Sequence, residues 1–565
     1  MNNRLETKPV AGSEAAAEDV PHFDVVVIGA GFSGLYALYR LRDVNGLSVQ
    51  LFEESSDVGG VWNLNRYPGA RCDSESYVYC YSFSKELCQE WDWSGRYPKQ
   101  AELLAYLKHV AERFDLYPNI ECNTRVTTTT WNDEDSVWEV ETDRGHRVTA
   151  QFLVTGLGLL ASKRYIPDYE GLDTFRGEWH HTGQWPERDV DFRGKRVGVV
   201  GTGSTGVQAI PVIAEQAEHL YVFQRSPQFT IPARHEKVDR AFLDDVKANY
   251  DKIWDLAHHS AGGFPFEPNQ TRALDVTAEE RQATFDQLWE EGGFKFVFGS
   301  YKDTLTDRRA NDYASEYIRS KIRERVNDPE VAEKLMPVDS PFAAKRAIVD
   351  TNYFETYNRD NVTLVDLRTA PIEKVTPTGI RTTDEEYDLD ILVFATGFDA
   401  VTGPFVRIDF QGRDGLTLKD HWAKDGVRTY LGLAMAGFPN MFTITGPGST
   451  FGNQPVGIEH HVEWISDVIE YMRARKYDVI EAEPDAEDRW VERLQSNTGR
   501  TLIPLADSWL TGANIPGKPR RVLIEFGNFG SYRRDVDEVI RNGYAGFKLE
   551  RRTGLASDAD QASVS

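Results

Sequence analysis

The run Asp24-Val25-Val26-Val27-Ile28 leads without a break into Gly29-Ala30-Gly31-Phe32-Ser33-Gly34, and residues 35–42 continue as a helical pattern. A β-branched run of this kind reads as a buried strand, so the spacing predicts strand, tight turn and helix. Each glycine has its own purpose. Gly29 permits the turn, Gly31 lets the backbone approach a pyrophosphate, and Gly34 lets helix and strand pack closely. An anion then sits at the helix N-terminus, beside Ser33, where unpaired N–H groups and the helix dipole face it. A second strand over 47–52 ends at Glu53, nineteen residues past Gly34. That is where an acidic side chain meets ribose hydroxyls.

The pattern then repeats. Residues 195–200 (KRVGVV) form a second strand, followed by Gly201, Thr202, Gly203, Ser204, Thr205 and Gly206, with Val207 next. The partner strand over 220–224 ends in Arg225 and Ser226. Glu53 follows Gly29 by 24 residues, and Arg225 follows Gly201 by the same 24. The charge is opposite. Glu53 favours a free ribose 2′-hydroxyl, as in FAD or NAD, whereas a guanidinium favours a 2′-phosphate, as in NADP. A solvated surface charge is the plainer account of Arg225, but its place at the strand end favours the phosphate.

The expected fold class is therefore α/β, with two Rossmann-like dinucleotide-binding domains, one for FAD and one for NADP. A third apolar strand over 387–394, followed by Ala395-Thr396-Gly397, is expected to bring the chain back into the first fold beside the flavin. Residues 233–335 are charge-rich, with helical stretches at 274–291 and 311–325, and read as an inserted helical subdomain. It either covers an active site or braces the two nucleotide domains. The domain plan is a disordered lead-in over 1–21, an FAD domain over 22–158 and 390–550, an NADP domain over 159–232 and 336–389, the insertion, and a polar tail over 551–565.

Composition narrows the function. A chain of 565 residues is long enough for two or three domains. Its 64 basic and 89 acidic side chains give a net charge of −25, unsuited to non-specific nucleic-acid binding. The four cysteines (Cys72, Cys80, Cys88, Cys122) contain no CxxC pair, so neither a zinc site nor a dithiol centre is expected, and the thiols read as reduced and cytoplasmic. The longest charge-free run, 429–458, is broken by Gly432, Gly437, Pro439, Gly446 and Pro447, among others, and reads as strand plus loop. The reading is a soluble, cytoplasmic protein with small-molecule partners, a monomer or weak oligomer.

NADPH and FAD in one polypeptide imply hydride transfer from nicotinamide to flavin, after which the flavin must discharge. Without a cysteine pair, haem or iron–sulfur ligation pattern, the remaining common acceptor is O₂. That leaves an oxidase or a monooxygenase.

Residues Phe175, Gly177, His181, Trp185 and Pro186 fall on FxGxxxHxxxWP. Lying between two GxGxxG motifs, this segment resembles the fingerprint of type I Baeyer–Villiger monooxygenases. Gly59-Gly60-Val61-Trp62, the run from Asn65 through Arg71 to Asp73, Ala344-Lys345-Arg346 and the run from Ser508-Trp509 to Gly517 are similar to the phenylacetone, steroid and cyclohexanone branch. The resemblance spans about 22–550. It implies NADPH- and O₂-dependent insertion of one oxygen next to a ketone carbonyl, giving a lactone or ester by way of a flavin C4a-peroxide.

It also implies roles. Arg346 is the cation beside the reacting oxygens, permanently charged and with a planar fork of donors, and Asp73 is its carboxylate partner. Gly60, Val61, Trp62, Asn63, Leu64, Arg71, Asp73 and Tyr79 match flavin-contacting positions, with Val126 and Gln454. The second glycine loop from Gly201 to Val207, with Arg225, Ser226, Lys345 and Arg346, matches NADP-contacting positions. Trp509 matches a tryptophan near the nicotinamide, although ordinary core is an equal account of it. His181 falls on the linker, where hinge or packing duty is at least as good a reading as chemistry.

Two departures stand out. The branch usually has Tyr-Trp where this chain has Asn63-Leu64, which alters the flavin wall or the substrate pocket. The stretch 155–162 replaces the usual ATG-type link. The loop Gly446 to Pro455 is similar to the cyclohexanone type, and Arg428 to Gly432 to the phenylacetone and steroid types, so the expected substrates are cyclic or bulky ketones. The competing expectations are an N- or S-oxygenating flavin monooxygenase, an uncoupled NADPH oxidase, and a non-catalytic NADPH sensor.

Overall fold

The strand His22–Ile28 buries Val25, Val26 and Val27 completely, as a strand covered on both faces must. In the computed structural model, which describes residues 20–160, 165–234, 238–526 and 528–552 (the side chains of 424 and 425 excepted), it is the centre of the first sheet. The expected lead-in and tail lie outside the described residues, apart from 20–21 and 551–552, as does the end of the 155–162 stretch.

Among the described residues eight strands form that sheet. His22–Ile28 pairs in parallel with Val49–Phe52 on one side, in register Val25 to Val49, and with Arg147–Thr155 on the other. The long strand Arg147–Thr155 divides its edge. Its first half pairs antiparallel with Val137–Thr142, and its last residues pair in parallel with Met441–Thr443. Asp409–Gln411 joins beyond Val126–Asn132. The first domain is thus closed by chain from beyond residue 400.

The second sheet has five parallel strands in the order Val362–Asp366, His219–Gln224, Arg196–Val200, Ile391–Phe394 and Glu178–His181. This corrects one expectation. Ile391–Phe394 does not return to the flavin fold but lies between Arg196–Val200 and Glu178–His181 in the nicotinamide-nucleotide sheet. An all-apolar strand of four residues fits the middle of either sheet, and its own residues do not discriminate. The chain re-enters the first sheet only at Asp409–Gln411.

The insertion is helical, as expected, with long helices at Arg240–His259, Ala278–Glu291 and Arg308–Arg325. It is not one body around one core. Val246, Tyr250, Trp254 and Ala257 of the first helix join the apolar cluster of the first domain. Phe285, Leu288 and Trp289, with Ala314, Tyr317 and Ile318 of the last helix, join that of the second. The insertion therefore braces the two domains across the cleft between them.

Candidate active site

The first glycine loop is built by close approaches that only glycine allows. Gly29 has φ +98°, and a Cβ there would meet the Gly156 carbonyl oxygen at 2.7 Å. One on Gly34 would fall 1.7 Å from the Gly29 carbonyl oxygen. Gly31 caps the helix Phe32–Tyr39 with no side chain over its N-terminus, leaving the first N–H groups open. A Cβ on Gly60 would come 2.9 Å from Gly31 Cα, so two glycine backbones form a cradle that any side chain would fill. Buried Glu53 closes one end, with Oε2 accepting from Ala30 N–H at 2.6 Å and Oε1 from Ser55 N–H at 2.7 Å. The residues present fit FAD here.

The second loop repeats the device. A Cβ on Gly201 would come 2.5 Å from the Ala395 carbonyl oxygen, and one on Gly206 2.2 Å from that of Gly201. Gly203 begins the helix Ser204–Ala214 with open space where its side chain would be. At the partner strand's end Arg225 donates no hydrogen bond to any described residue, and neither does Lys345. Burial, and then the like charge of Arg225, hold the Lys345 ammonium below its usual lysine range. Two adjacent cations with no bonded carboxylate fit the 2′-phosphate of NADP.

Between the loops the cleft has a volume of about 1650 Å³, beyond the few hundred to about 1,000 Å³ usual for one drug-sized ligand. At its floor Arg346 Nη1 donates to Asp73 Oδ2 at 2.8 Å and to Ser204 Oγ at 3.2 Å. Asp73 Oδ1 accepts from Gln208 Nε2 at 2.9 Å. Arg346 also lies over the Phe294 ring, its guanidinium carbon 5.4 Å from the centroid. Arg71 lines the same floor, and burial holds its guanidinium below its usual range.

Most expected contact residues meet in this one cleft. Ser33, Val61, Trp62, Leu64, Tyr79, Val126, Gln454, Thr205, Ser226 and Trp509 all line it. Trp509 packs edge-on against Phe451, with centroids 5.4 Å apart. Three side chains do not line it. Asn63 is buried and accepts from Arg66 Nη2 at 2.6 Å through its Oδ1, so it locks Arg66 instead of facing a cofactor. Thr202 turns its hydroxyl to the Ser226 carbonyl at 3.1 Å, and Val207 is sunk in the second core. His181 accepts from Gly183 N–H through Nδ1 at 3.0 Å and packs edge-on against Phe398, a packing environment.

Sequence reasoning missed Gln208 and Tyr67, whose hydroxyl donates to Gln208 Oε1 at 2.8 Å. A signal was present, since Gln208 sits four residues after Ser204 and so shares its helix face.

Two glycine-rich dinucleotide cradles opening on one cleft, with a guanidinium–carboxylate pair lining it, define an oxidoreductase that holds two dinucleotides against one site. Residues 23–238 match the family model described as flavin-binding monooxygenase-like. The chain is 45% identical over 553 residues to a Baeyer–Villiger monooxygenase of Pseudooceanicola batsensis, covering 98% of this chain and 99% of the relative. It is also 45% identical over 533 residues to the phenazine N-monooxygenase PhzNO1 of Lysobacter antibioticus, covering 94% and 98%. A solved oxidised steroid monooxygenase bound to NADP superposes with a TM-score of 0.90 at 49% identity, over 94% of this chain and all of that one. The chain belongs to the Baeyer–Villiger monooxygenase family. Its cofactors are FAD and NADP, and its activity is NADPH-dependent insertion of oxygen next to a ketone carbonyl. No described helix is long and apolar enough to cross a membrane.

Proposed function

We propose that this chain converts cyclic or bulky ketones to lactones or esters, with Arg346 as the catalytic cation and Asp73 as the group that orients it. The observation that carries this is the Asp73–Arg346 pair, 2.8 Å apart, at the floor of the cleft shared by both cradles. Held in the first cradle, FAD would supply the redox chemistry that links NADPH oxidation to reduction of O₂. Arg346 stands where negative charge collects on the carbonyl oxygen under attack. A fixed guanidinium there costs no reorganisation at the moment of reaction. Asp73 pins one nitrogen of the fork and leaves the others facing the cleft. Phe264, Phe298 and Phe451 add an apolar wall that excludes water and suits a hydrocarbon ketone.

The remaining expected contacts follow the same division. The first cradle holds FAD through Gly29, Gly31, Glu53 and Gly60. The second holds NADP, with Arg225 and Lys345 on the 2′-phosphate, which makes the enzyme specific for NADPH over NADH. We place its partners among small molecules and its work in the cytoplasm, as a monomer or weak oligomer. The net charge of −25 supports the absence of a nucleic-acid partner.

Oxygenation at nitrogen or sulfur is the second reading, favoured by the likeness to a phenazine N-monooxygenase. Oxygen transfer to a nitrogen or sulfur lone pair passes through no tetrahedral alkoxide, so it does not call on Arg346 at a carbonyl oxygen. A product panel separates the two. Holoenzyme is given NADPH and ¹⁸O₂ with cyclic ketones, steroidal ketones, a thioether and phenazine, and the products and hydrogen peroxide are measured. Labelled lactone as the fastest product supports the ketone reading. N-oxide or sulfoxide outpacing every ketone overturns it, and peroxide alone marks an uncoupled oxidase.

A further inference from the structure

Ser204 and Gln208 lie one turn apart on the helix Ser204–Ala214 and face the same side. They hold opposite members of one ion pair. Ser204 Oγ accepts from Arg346, and Gln208 Nε2 donates to Asp73 Oδ1 at 2.9 Å and to the Arg71 carbonyl at 3.1 Å. At its other end Gln208 Oε1 accepts from the Tyr67 hydroxyl at 2.8 Å and from Arg71 N–H at 3.4 Å. With acceptors around its nitrogen and donors around its oxygen, the amide has one satisfactory orientation.

Asp73 belongs to the first domain, whereas Gln208, Ser204 and Arg346 belong to the second. The bonds therefore cross the domain boundary. Gly69, at φ +81°, makes the crossing possible, because a Cβ there would come 2.2 Å from the Gln208 carbonyl oxygen. Buried Asp73 thus has one oxygen on Arg346 and the other on Gln208. Without the second bond the carboxylate is free to turn about its Cβ–Cγ axis, and the guanidinium that it aims is free to follow.

We propose that Gln208 is a positioning residue for the oxygenation: it fixes the Asp73 carboxylate so that Arg346 points at the ketone, and so ties that charge to the docking of the two dinucleotide domains. This rests on Arg346 being the cation at the reacting carbonyl, as proposed above. Misaim of a catalytic group lowers the rate of the step without lowering affinity for a nucleotide bound elsewhere. Loss of Gln208 therefore separates kcat from KM.

The test uses holoenzyme carrying Gln208→Met, of nearly the same shape but without the amide. The expected result is a product kcat lowered about tenfold or more, an NADPH KM within about twofold of the parent, and a larger share of NADPH electrons ending in hydrogen peroxide. The thermal shift caused by NADP⁺, measured without turnover, stays unchanged. Tyr67→Phe removes one of the donors that orient the amide, and gives a smaller loss of the same kind. A product kcat within about twofold of the parent in Gln208→Met overturns the proposal. So does a raised NADPH KM at unchanged kcat, which makes Gln208 a nucleotide contact. Should Gln208→Met fail to load FAD, Tyr67→Phe decides, and an unchanged kcat and peroxide share there overturn the proposal. Arg346→Ala is run in parallel, and undiminished product from it sinks the role of Arg346, whatever Gln208 does.

Discussion

Asp73 and Arg346 share a 2.8 Å bond but not an environment: 4% of the carboxylate side chain is exposed, against 27% of the guanidinium. The carboxylate is sealed into the boundary between the domains, while the cation reaches the cleft. Such a pair is structural and chemical at once. Its buried member anchors, and its open member presents charge to whatever enters.

Removing that charge should abolish oxygenation and spare the fold. Arg346→Ala is expected to lower product formation by about a hundredfold or more, the scale on which one transition-state donor counts. Flavin content and the rate of NADPH-driven bleaching under nitrogen should stay near those of the parent. The measurements are lactone by gas chromatography and flavin absorbance, and product above a tenth of the parent rate would count against the assignment.

Arg225→Ala should raise the KM for NADPH about tenfold to a hundredfold, because a charge-assisted bond to the 2′-phosphate is worth about 1.5–3 kcal/mol. NADH carries no phosphate there, so its KM should move less than about threefold. Steady-state kinetics with both nucleotides decide, and equal effects on both would remove the phosphate role.

Gly69→Ala tests the docking of the domains. Its Cβ would lie 2.2 Å from the Gln208 carbonyl oxygen, on a residue with φ +81°. The variant should bind FAD, whose cradle lies elsewhere, but form product several-fold more slowly and release more peroxide. Thermal denaturation should show a loss of about 1–2 kcal/mol from the left-handed backbone alone. Parent-like coupling of NADPH to product would show that the close approach does not matter.

Glu459 gives a pH signature away from the site. It is fully buried on the helix Gln454–Arg475, where burial first, and then the nearby Glu463, raise its carboxyl to about 7 against the opposing bonds from Ser82 and Phe83. A carboxyl raised in the folded state stabilises it below the unfolded value of 4.5, and that contribution is lost as pH rises through about 7. The difference is up to about 3 kcal/mol. Glu459→Gln, neutral throughout, should therefore lose less stability than the parent between pH 5 and 8. Urea denaturation across that range checks it, and parallel curves would refute the raised carboxyl.

Much of the site was legible because its motifs are local. Gly29, Gly31 and Gly34 act within one strand–turn–helix, and the 24-residue distance to Glu53, repeated from Gly201 to Arg225, reflects a fixed unit of two strands and a helix. Two helices of the insertion were visible, at 274–291 and 311–325, whereas Arg240–His259 was not singled out. Asn63 misled for a local reason as well: it adjoins wall residues Trp62 and Leu64, but a short helical turn directs it inward onto Arg66.

The resemblance to a known family supplied the candidate pair Asp73 and Arg346, and the chain's own residues, taken in order, were enough to establish two nucleotide cradles and the sign of the charge at each. Those features depend on neighbours within about thirty residues, where backbone geometry is dictated by residue type. Folding alone settled which sheet takes Ile391–Phe394, how the insertion divides between two cores, and that Gln208 meets Asp73 across the boundary. Each of these joins segments more than a hundred residues apart. The same apolar strand or polar side chain suits several places, and packing of the whole molecule selects among them.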